Sequence, residues 1–303
     1  MTARRRWSAT KWVSLALSLF ALLSLVLLVA LFVQQSLPVW RQEGWGFLTG
    51  KKWFYRQEEF GIASMLYGTV AVALIALGLA APLGIGAAVF TAEFLPARLR
   101  LAVKIAIELL SGIPSVVYGL LGILLLRDWV YETLQPFDPL SGDTLLTGGI
   151  LLGIMILPTI MTLSDDALRS VPASQRLAAR ALGLNSTEAV LGVSLRQAVP
   201  GIFAAVFLAI GRACGEMIAV FLVVGRQDNQ WPEKLLSLQP LIDAGQTLST
   251  KLGSSETNIA YGDPLHWAAM VALGLVLLVL VTIVTAIGVR LQRSPKHSHH
   301  HGT

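Results

Sequence analysis

The stretch RSVPASQRLAARALGLNSTEAVLGVSLRQAVPGI, residues 169–202, is a basic and polar insert between two hydrophobic runs of membrane-spanning length. Pro172 suits the first turn of a helix, and Gly183 suits the position just after its end. The tetrapeptide from Asn185 to Glu188 has capping-box spacing, with a polar N-cap and a glutamate three residues later. The stretch therefore predicts two short helices, which form a docking knob (residues 172–198) on one face of a membrane.

The composition outside this insert is that of a membrane protein. Hydrophobic residues make up 54% of the 303 residues and charged residues 14%, with a mean hydropathy of +0.67. A soluble domain carries about a quarter of charged residues. Six apolar runs are long enough to cross the hydrocarbon core as helices: residues 12–33, 65–90, 105–126, 145–163, 199–224 and 267–289. We therefore expect an all-α polytopic membrane protein with six transmembrane helices.

The chain divides into three parts on this reading. Residues 1–64 are expected to hold the first transmembrane helix and an external segment, and residues 65–290 the core transmembrane domain with a second external loop at 226–266. Residues 291–303 form a histidine-rich tail that resembles a tag remnant. The first apolar run is too long for a signal-peptide core, so we expect an uncleaved span. Cys214 is the single cysteine, which excludes an internal disulfide.

The positive charges predict the orientation. If both termini are cytoplasmic, fourteen of the 23 lysines and arginines lie in cytoplasmic segments, whereas twelve of the 18 acidic residues lie in external ones. This asymmetry is the positive-inside pattern. The net charge of +5 therefore reflects membrane topology and does not indicate nucleic-acid binding.

The third span contains a helix-breaking sequence. Its residues 111–115 read Ser-Gly-Ile-Pro-Ser, and glycine with proline interrupts a helix in the middle of the membrane. Irregular backbone is tolerated at that depth only against protein or a water-filled cavity. We therefore include Ser111 and Ser115 among the candidate pathway residues.

Ionisable residues inside the predicted spans are the strongest functional signal. Arg212 and Glu216 are four residues apart in the fifth span, which would place them on one face of a helix. One interpretation is an ion pair that joins helices; the other is a site where the guanidinium meets an anionic substrate. Glu108 in the third span is either a third pathway group or the partner of Lys104.

Catalytic signatures are not found. The sequence contains no P-loop, so any ATP hydrolysis must come from a partner subunit. No cluster of His, Asp, Glu and Cys gathers at one membrane depth, and no metal or other cofactor bound by this chain itself is expected. We therefore predict that the chain is not an enzyme.

The knob also carries a recognisable motif. Leu177-Ala178-Ala179, then three residues, Gly183, nine residues and Val193-Ser194-Leu195 resembles the EAA loop of ABC-importer permeases, with Leu177 where that motif has glutamate. In that family the loop fits a cleft on the cytoplasmic ATPase subunit. The resemblance implies a set of residues that couple to the ATPase: Arg176, Ala178, Ala179, Arg180, Gly183, Asn185 and Glu188.

A second resemblance covers most of the chain, from about residue 60 to residue 288. FGIASMLYGTVAVALIALGLAAPLGIGAAVFTAEF (60–94), IELLSGIPSVVYGL (107–120) and GRACGEMIAVFLVVG (211–225) resemble phosphate-importer permeases of the PstC type. The resemblance implies a type I ABC-importer fold and a heterodimer with a sister permease of the PstA type. It also implies an ATPase dimer that binds ATP and magnesium, and an extracytoplasmic phosphate-binding protein. In that family the positions of Arg212 and Glu216 are associated with phosphate movement.

We therefore expect a multi-pass subunit of a bacterial inner membrane that helps to import inorganic phosphate. The candidate pathway residues are Arg212, Glu216, Glu108, Ser111 and Ser115. One alternative is a permease for another oxyanion, such as phosphonate, molybdate or sulfate. The other is an anion transporter or channel that works without an ATPase, which co-purification of a nucleotide-binding subunit would exclude.

Overall fold

The computed structural model describes residues 9–232 and 239–292. The three N-terminal arginines at positions 4–6, part of the loop at 226–266 and most of the histidine-rich tail lie outside these ranges. The described chain is mostly helical, with one two-stranded antiparallel hairpin. This confirms the all-α class expected from the sequence.

The elements follow each other in a simple order. The first part of the chain contains α1 (Ala9–Glu43), α2 (Gly46–Thr49), β1 (Trp53–Phe54), β2 (Glu59–Phe60), α3 (Ala63–Glu93), α4 (Ala97–Ser111), α5 (Ser115–Leu121) and α6 (Arg127–Leu134). The second part contains α7 (Leu145–Arg169), α8 (Ala173–Ala181), α9 (Ser186–Ala189), α10 (Arg196–Gly215), α11 (Ile218–Phe221), α12 (Gln239–Ile242), α13 (Leu248–Leu252), α14 (Glu256–Ala260) and α15 (Pro264–Gln292). Segments of π-helix, Gly122–Leu126 and Val190–Leu195, join α5 to α6 and α9 to α10.

The expected membrane spans are present. Five helices are long and apolar enough to cross a membrane: α1, α3, α7, the helix that ends with α10, and α15. The pair α4 and α5–α6 passes the same test together but is bent by 86°; counted as one broken span, it brings the number to six. The first span is longer than predicted, because α1 continues through Pro38 to Glu43.

Helix α7 lies at the centre of the bundle. About two thirds of its apolar window (67%) is buried, whereas none of the corresponding window of α1 is. It packs against α3 and α10, while α15 packs against α10 and α1. A Cβ atom on Gly149 of α7 would lie 2.5 Å from Ile75 of α3, so the small residue permits the close approach of these two helices.

Two predicted helix boundaries are wrong. The second helix of the knob is not a separate short element, because α9 continues through the π-helical segment into α10 as one long helix. The fifth span does not run to residue 224, because α10 ends at Gly215 and Glu216 has extended backbone angles (φ −71°, ψ 121°). Hydropathy does not report the second change, since most residues on both sides of Glu216 are apolar.

The opposite ends of the bundle differ in character. The knob end carries residues 172–198 and the C-terminal ends of α3 and α7. The cap end carries a cap (residues 44–62 as its first segment, residues 226–232 and 239–263 as its second), formed by the hairpin and the short helices α2 and α12–α14. Phe47, Trp53 and Phe60 of the cap are buried together with Val39 of α1 and Leu273 of α15, so the cap packs on the two neighbouring spans.

Candidate functional site

The bend in the third span follows from its Gly-Ile-Pro sequence. Helix α4 ends at Ser111, and Pro114 caps α5 with backbone angles outside the helical region (φ −58°, ψ 139°). Across the bend, the hydroxyl of Tyr118 donates to the carbonyl oxygen of Leu110 at 2.9 Å. The structure confirms the predicted interruption.

A second interruption follows α10. After Gly215 the chain is extended at Glu216 and becomes helical again only at Ile218. The side-chain hydroxyl of Ser249, on α13 of the cap, donates to the carbonyl oxygen of Glu216 at 2.9 Å. A carbonyl that has lost its helical partner is thereby satisfied, as buried backbone requires.

The two interrupted spans meet. Helix α5, which follows the first break, packs against α11, which follows the second. A Cβ atom on Gly119 would lie 2.5 Å from the Leu222 side chain and 3.2 Å from Ala219, so glycine allows this close contact. In secondary transporters, discontinuous helices of this kind typically form the substrate site. This is the candidate site of the chain.

Arg212 lies one turn before the second break. Its side chain is exposed on the isolated chain, and Nη1 donates to the hydroxyl oxygen of Thr159 on α7 at 3.2 Å. The predicted pairing with Glu216 on one helix face is wrong, because Glu216 is outside the helix. No ion pair joins the two residues in the part of the chain that the structure describes. The guanidinium is therefore left with free donors for an anion.

Thr159 was missed by sequence reasoning. It is a polar residue in the middle of an apolar span and directly follows Pro158, which lies inside α7. A threonine in a membrane helix is commonly satisfied by its own backbone, so its presence alone gives no partner. Only the packing of α10 on α7 reveals its contact with Arg212.

The other predicted pathway residues line the first break. Glu108 is exposed on α4, Ser111 is the last residue of that helix and Ser115 is the first of α5. The alternative pairing of Glu108 with Lys104 is wrong. Lys104 lies instead 3.7 Å from Asp166 of α7, because α4 packs with that side against α7.

The turn between α8 and α9 has the capping hydrogen bonds and the glycine conformation that the sequence predicts. Asn185 Oδ1 accepts from the backbone N–H of Glu188, and the Glu188 carboxylate accepts from that of Asn185, both at 2.9 Å, which confirms the capping box. Gly183 has a φ of +86°, the left-handed conformation that ends α8.

The predicted coupling residues do not all face outward. Ala178 and Arg180 are exposed, as are Gly183, Asn185 and Glu188. Ala179 is buried, and Arg176 turns towards Glu93 at the end of α3. These two residues attach α8 to the bundle and do not belong to its outer surface.

A buried ionic cluster, which the sequence did not reveal, holds the cap together. Lys251 is 1% exposed and its Nζ lies 2.5 Å from carboxylate oxygens of both Asp228 and Glu256. Glu256 also accepts from Trp53 Nε1 at 2.5 Å and lies 2.9 Å from His266 Nε2. Because Trp53 belongs to the first cap segment and Lys251 to the second, the cluster joins both segments.

The environment of the two carboxyl groups shifts their pKa values in opposite directions. Burial raises the pKa of Asp228 above its ordinary value, although Lys251 acts against this shift. Burial would also raise the pKa of Glu256, but the hydrogen bond and the charge of Lys251 outweigh it, with further hydrogen bonds from Trp53 and His266, and the pKa of Glu256 is lowered.

A cavity of about 440 Å³ lies at the cap end, between the start of α3 and the second cap segment. Tyr67 and Trp231 line it, together with the carboxylate of Asp243. Among the lining residues that the structure describes, Asp243 is the charged one, and its charge is negative. A negative charge does not favour an anion, whereas Arg212 offers a cation.

Similar proteins were found with both sequence and structure. Residues 80–297 match the family model of the binding-protein-dependent transport system inner membrane component. The phosphate transport system permease protein PstC of Mesorhizobium japonicum is 35% identical over 286 residues, which cover 88% of this chain and 85% of that protein. The protein of the same name from Haemophilus influenzae is 32% identical and covers 94% of each chain.

Solved structures agree on the fold. A chain of a bacterial alginate ABC transporter in complex with an alginate pentasaccharide-bound periplasmic protein has a TM-score of 0.60 at 14% identity, over 94% of this chain and 95% of that one. A chain of the MetNI methionine ABC transporter in an inward-facing conformation has a TM-score of 0.56 at 17% identity, over 77% and 94%. The relatives are transport components and not enzymes, as expected for this chain. The protein belongs to the family of inner membrane components of binding-protein-dependent transport systems.

Proposed function

We propose that this chain is a membrane-spanning permease subunit of an ATP-driven importer of inorganic phosphate. The similarity to proteins named phosphate transport permeases, across almost the whole chain, carries this proposal. The two facing helix breaks beside Arg212 support it, because they provide a path with an exposed cation on it.

The orientation follows from the positive-inside pattern. The knob end and both termini face the cytoplasm, and the cap faces the outside of a bacterial inner membrane. A separate ATPase dimer, loaded with ATP and magnesium, docks on the exposed residues of α8 and on the turn that leads to α9. A sister permease of the PstA type completes the path, and an extracytoplasmic phosphate-binding protein delivers phosphate at the cap.

Arg212 is the central group of the proposed mechanism. Phosphate released at the cap enters between the two broken spans, where the guanidinium offers two parallel N–H donors to its oxygens. Thr159 holds the arginine by a single hydrogen bond, so the remaining donors stay available. An anion site with one fixed cation attracts phosphate without retaining it, which transport requires.

The test is transport by the assembled importer in proteoliposomes, with its ATPase and its binding protein. Arg212→Gln should abolish uptake of radiolabelled phosphate while the complex still assembles. Arg212→Lys should retain part of the uptake, since lysine keeps the positive charge but cannot donate two parallel hydrogen bonds as the guanidinium does. Arg290→Gln, which alters an exposed arginine near the end of α15, is the matched control. Uptake that survives in Arg212→Gln would overturn the role of Arg212, and uptake of sulfate or molybdate in preference to phosphate would overturn the substrate.

A further inference from the structure

Arg176 lies on the knob but faces into the protein. On the same helix the neighbouring Leu177 is 64% exposed, whereas the side chain of Arg176 is 27% exposed. Its Nη1 donates to Glu93 Oε2 at 3.3 Å, and its Nη2 lies 3.1 Å from Glu93 Oε1. Nη2 also donates to the carbonyl oxygen of Leu168 at 2.8 Å. One guanidinium thus binds two different spans.

The nearly buried carboxylate of Glu93 is compensated by its contact with Arg176. Glu93 is the last residue of α3, and its side chain is 8% exposed. Its Oε1 has no well-directed hydrogen bond within the residues that the structure describes, so Arg176 supplies the main compensation for a nearly buried carboxylate. A buried carboxylate is unfavourable unless it is paired, and removing one partner exposes the full penalty of the other.

The contacts connect α8 to the two most tightly associated spans. Glu93 ends α3, and Leu168 lies in the last turn of α7. The two helices interdigitate along their length, where Ala76 and Ala80 of α3 are completely buried and Gly153 of α7 lies against Ala76. Since packed helices of this kind move as a unit, a displacement of α8 at Arg176 reaches α3 and α7 together.

The knob has a second connection to the bundle. Beyond Gly183 the chain continues through α9 and the π-helical segment into α10, which carries Arg212. At its other end the chain joins α8 directly to α7, through residues 170–172. Neither covalent route reaches α3, so the contact between Arg176 and Glu93 supplies an ionic link from α8 to that helix.

We propose that Arg176 and Glu93 form a latch through which movement of the knob is transmitted to α3 and α7, so that ATP hydrolysis is coupled to opening of the substrate path. Both are positioning residues: they contact neither substrate nor the ATPase. This inference rests on the proposed function, because it presupposes an ATPase that docks on the knob.

The experiment compares Arg176→Gln, Glu93→Gln and the double variant in the assembled importer, reconstituted with its ATPase and binding protein. Three quantities are measured: retention of the ATPase during purification, phosphate transported per ATP hydrolysed, and the midpoint of thermal unfolding. Each single variant should retain the ATPase and lower the transport-to-hydrolysis ratio by at least about fivefold, the effect of a typical coupling energy between contacting residues. The double variant should lose no more than the worse single variant, because both changes break one interaction.

Two further variants sharpen the comparison. Arg180→Gln alters an exposed arginine one turn further along α8; it should weaken retention of the ATPase and leave the transport-to-hydrolysis ratio of the remaining complex unchanged. Arg176→Lys keeps the positive charge beside Glu93, so this variant should assemble with the importer even if Arg176→Gln is too unstable to do so. Its ratio should lie between those of the parent and Arg176→Gln.

The outcomes separate the possible roles. A lower unfolding temperature with an unchanged transport-to-hydrolysis ratio would make the pair a structural contact and overturn the latch. Loss of the ATPase from Arg176→Gln and Arg176→Lys alike would make Arg176 a docking residue and overturn it as well. Failure of the parent complex to bind an ATPase or to transport phosphate would instead overturn the proposed function.

Discussion

Arg212 of α10 donates a hydrogen bond to Thr159 of α7 across 3.2 Å, so the cation of one span is held by a hydroxyl of the most buried span. This relationship replaces the intrahelical pairing with Glu216 that the spacing suggested. A hydroxyl orients a guanidinium without neutralising it, whereas a carboxylate would compete with an anionic substrate. The contact therefore suits an arginine that has to bind an anion and release it.

Thr159→Val removes the acceptor but keeps the shape of the side chain. A hydrogen bond of this kind contributes about 1 kcal/mol, so we expect phosphate uptake by the reconstituted importer to fall about fivefold. The loss should appear in the apparent affinity for phosphate more than in assembly, because only the position of Arg212 changes. Thr159→Ser retains the hydroxyl and serves as the control; equal uptake by the Val and Ser variants would contradict the assignment.

Gly183→Ala should weaken association with the ATPase. With φ at +86° the residue occupies a conformation that costs an L-amino acid roughly 1–2 kcal/mol, although nothing lies within 4 Å of an added Cβ. Gly192→Ala is a matched control, since its surroundings are equally open and its φ is not positive. The measurement is the affinity of the purified ATPase for the detergent-solubilised permease. Equal affinity for both variants would show that the turn geometry is not required for docking.

Asn185→Ala should loosen the start of α9. The side chain satisfies the backbone N–H of Glu188, and loss of such a cap costs about 1 kcal/mol. We expect faster hydrogen exchange at the amides of residues 187 and 188, with little change elsewhere in α10. Asn185→Asp keeps an acceptor oxygen at the same place and should exchange as slowly as the parent; protection that persists in the alanine variant would mean that the cap is not needed.

The acid stability of the cap should depend on Glu256. Its pKa in the folded protein lies below the ordinary value of 4.5, so its stabilising contribution is complete above that pH and is lost as the pH falls through the lower folded value. Asp228, whose pKa is raised, acts in the opposite direction. The unfolding temperature should therefore fall less between about pH 5 and pH 3.5 in Glu256→Gln than in the parent, and more in Asp228→Asn. An equal fall in unfolding temperature in all three proteins would show that this cluster does not cause the acid sensitivity of the cap.

Periodicity and helix-breaking residues predicted the spans, the bend at residues 112–114 and the turn at Gly183, because these features depend on local sequence. Partners of side chains were predicted less well. The spacing offered Glu108 as one possible partner of Lys104, which lies instead against Asp166. Arg176, expected among the residues that couple to the ATPase, lies against Glu93. Each actual partner is on another helix, and the distance along the chain carries no information about which helices pack together.

The ionic cluster of the cap was not predicted from the sequence for the same reason. Lys251 reads as an ordinary lysine of a polar loop, and neither Asp228 nor Trp53 is near it in sequence. Its almost complete burial follows from the way in which two distant segments fold over the ends of α1 and α15. A sequence reveals a charge within a membrane span because its neighbours are apolar, as for Arg212, but it does not reveal a buried charge among polar neighbours, as for Lys251.

The long first helix sets the height of the cap. With 35 residues α1 extends for about 52 Å, well beyond the roughly 30 Å of a bilayer's hydrocarbon core. Its last turns, where Val39 and Trp40 pack beneath the cap, therefore stand in or above the headgroup layer unless the helix tilts strongly. A protein that docks on the cap thus meets a platform raised above the lipid surface, and the thickness of the bilayer becomes one of the quantities that set the geometry of this encounter.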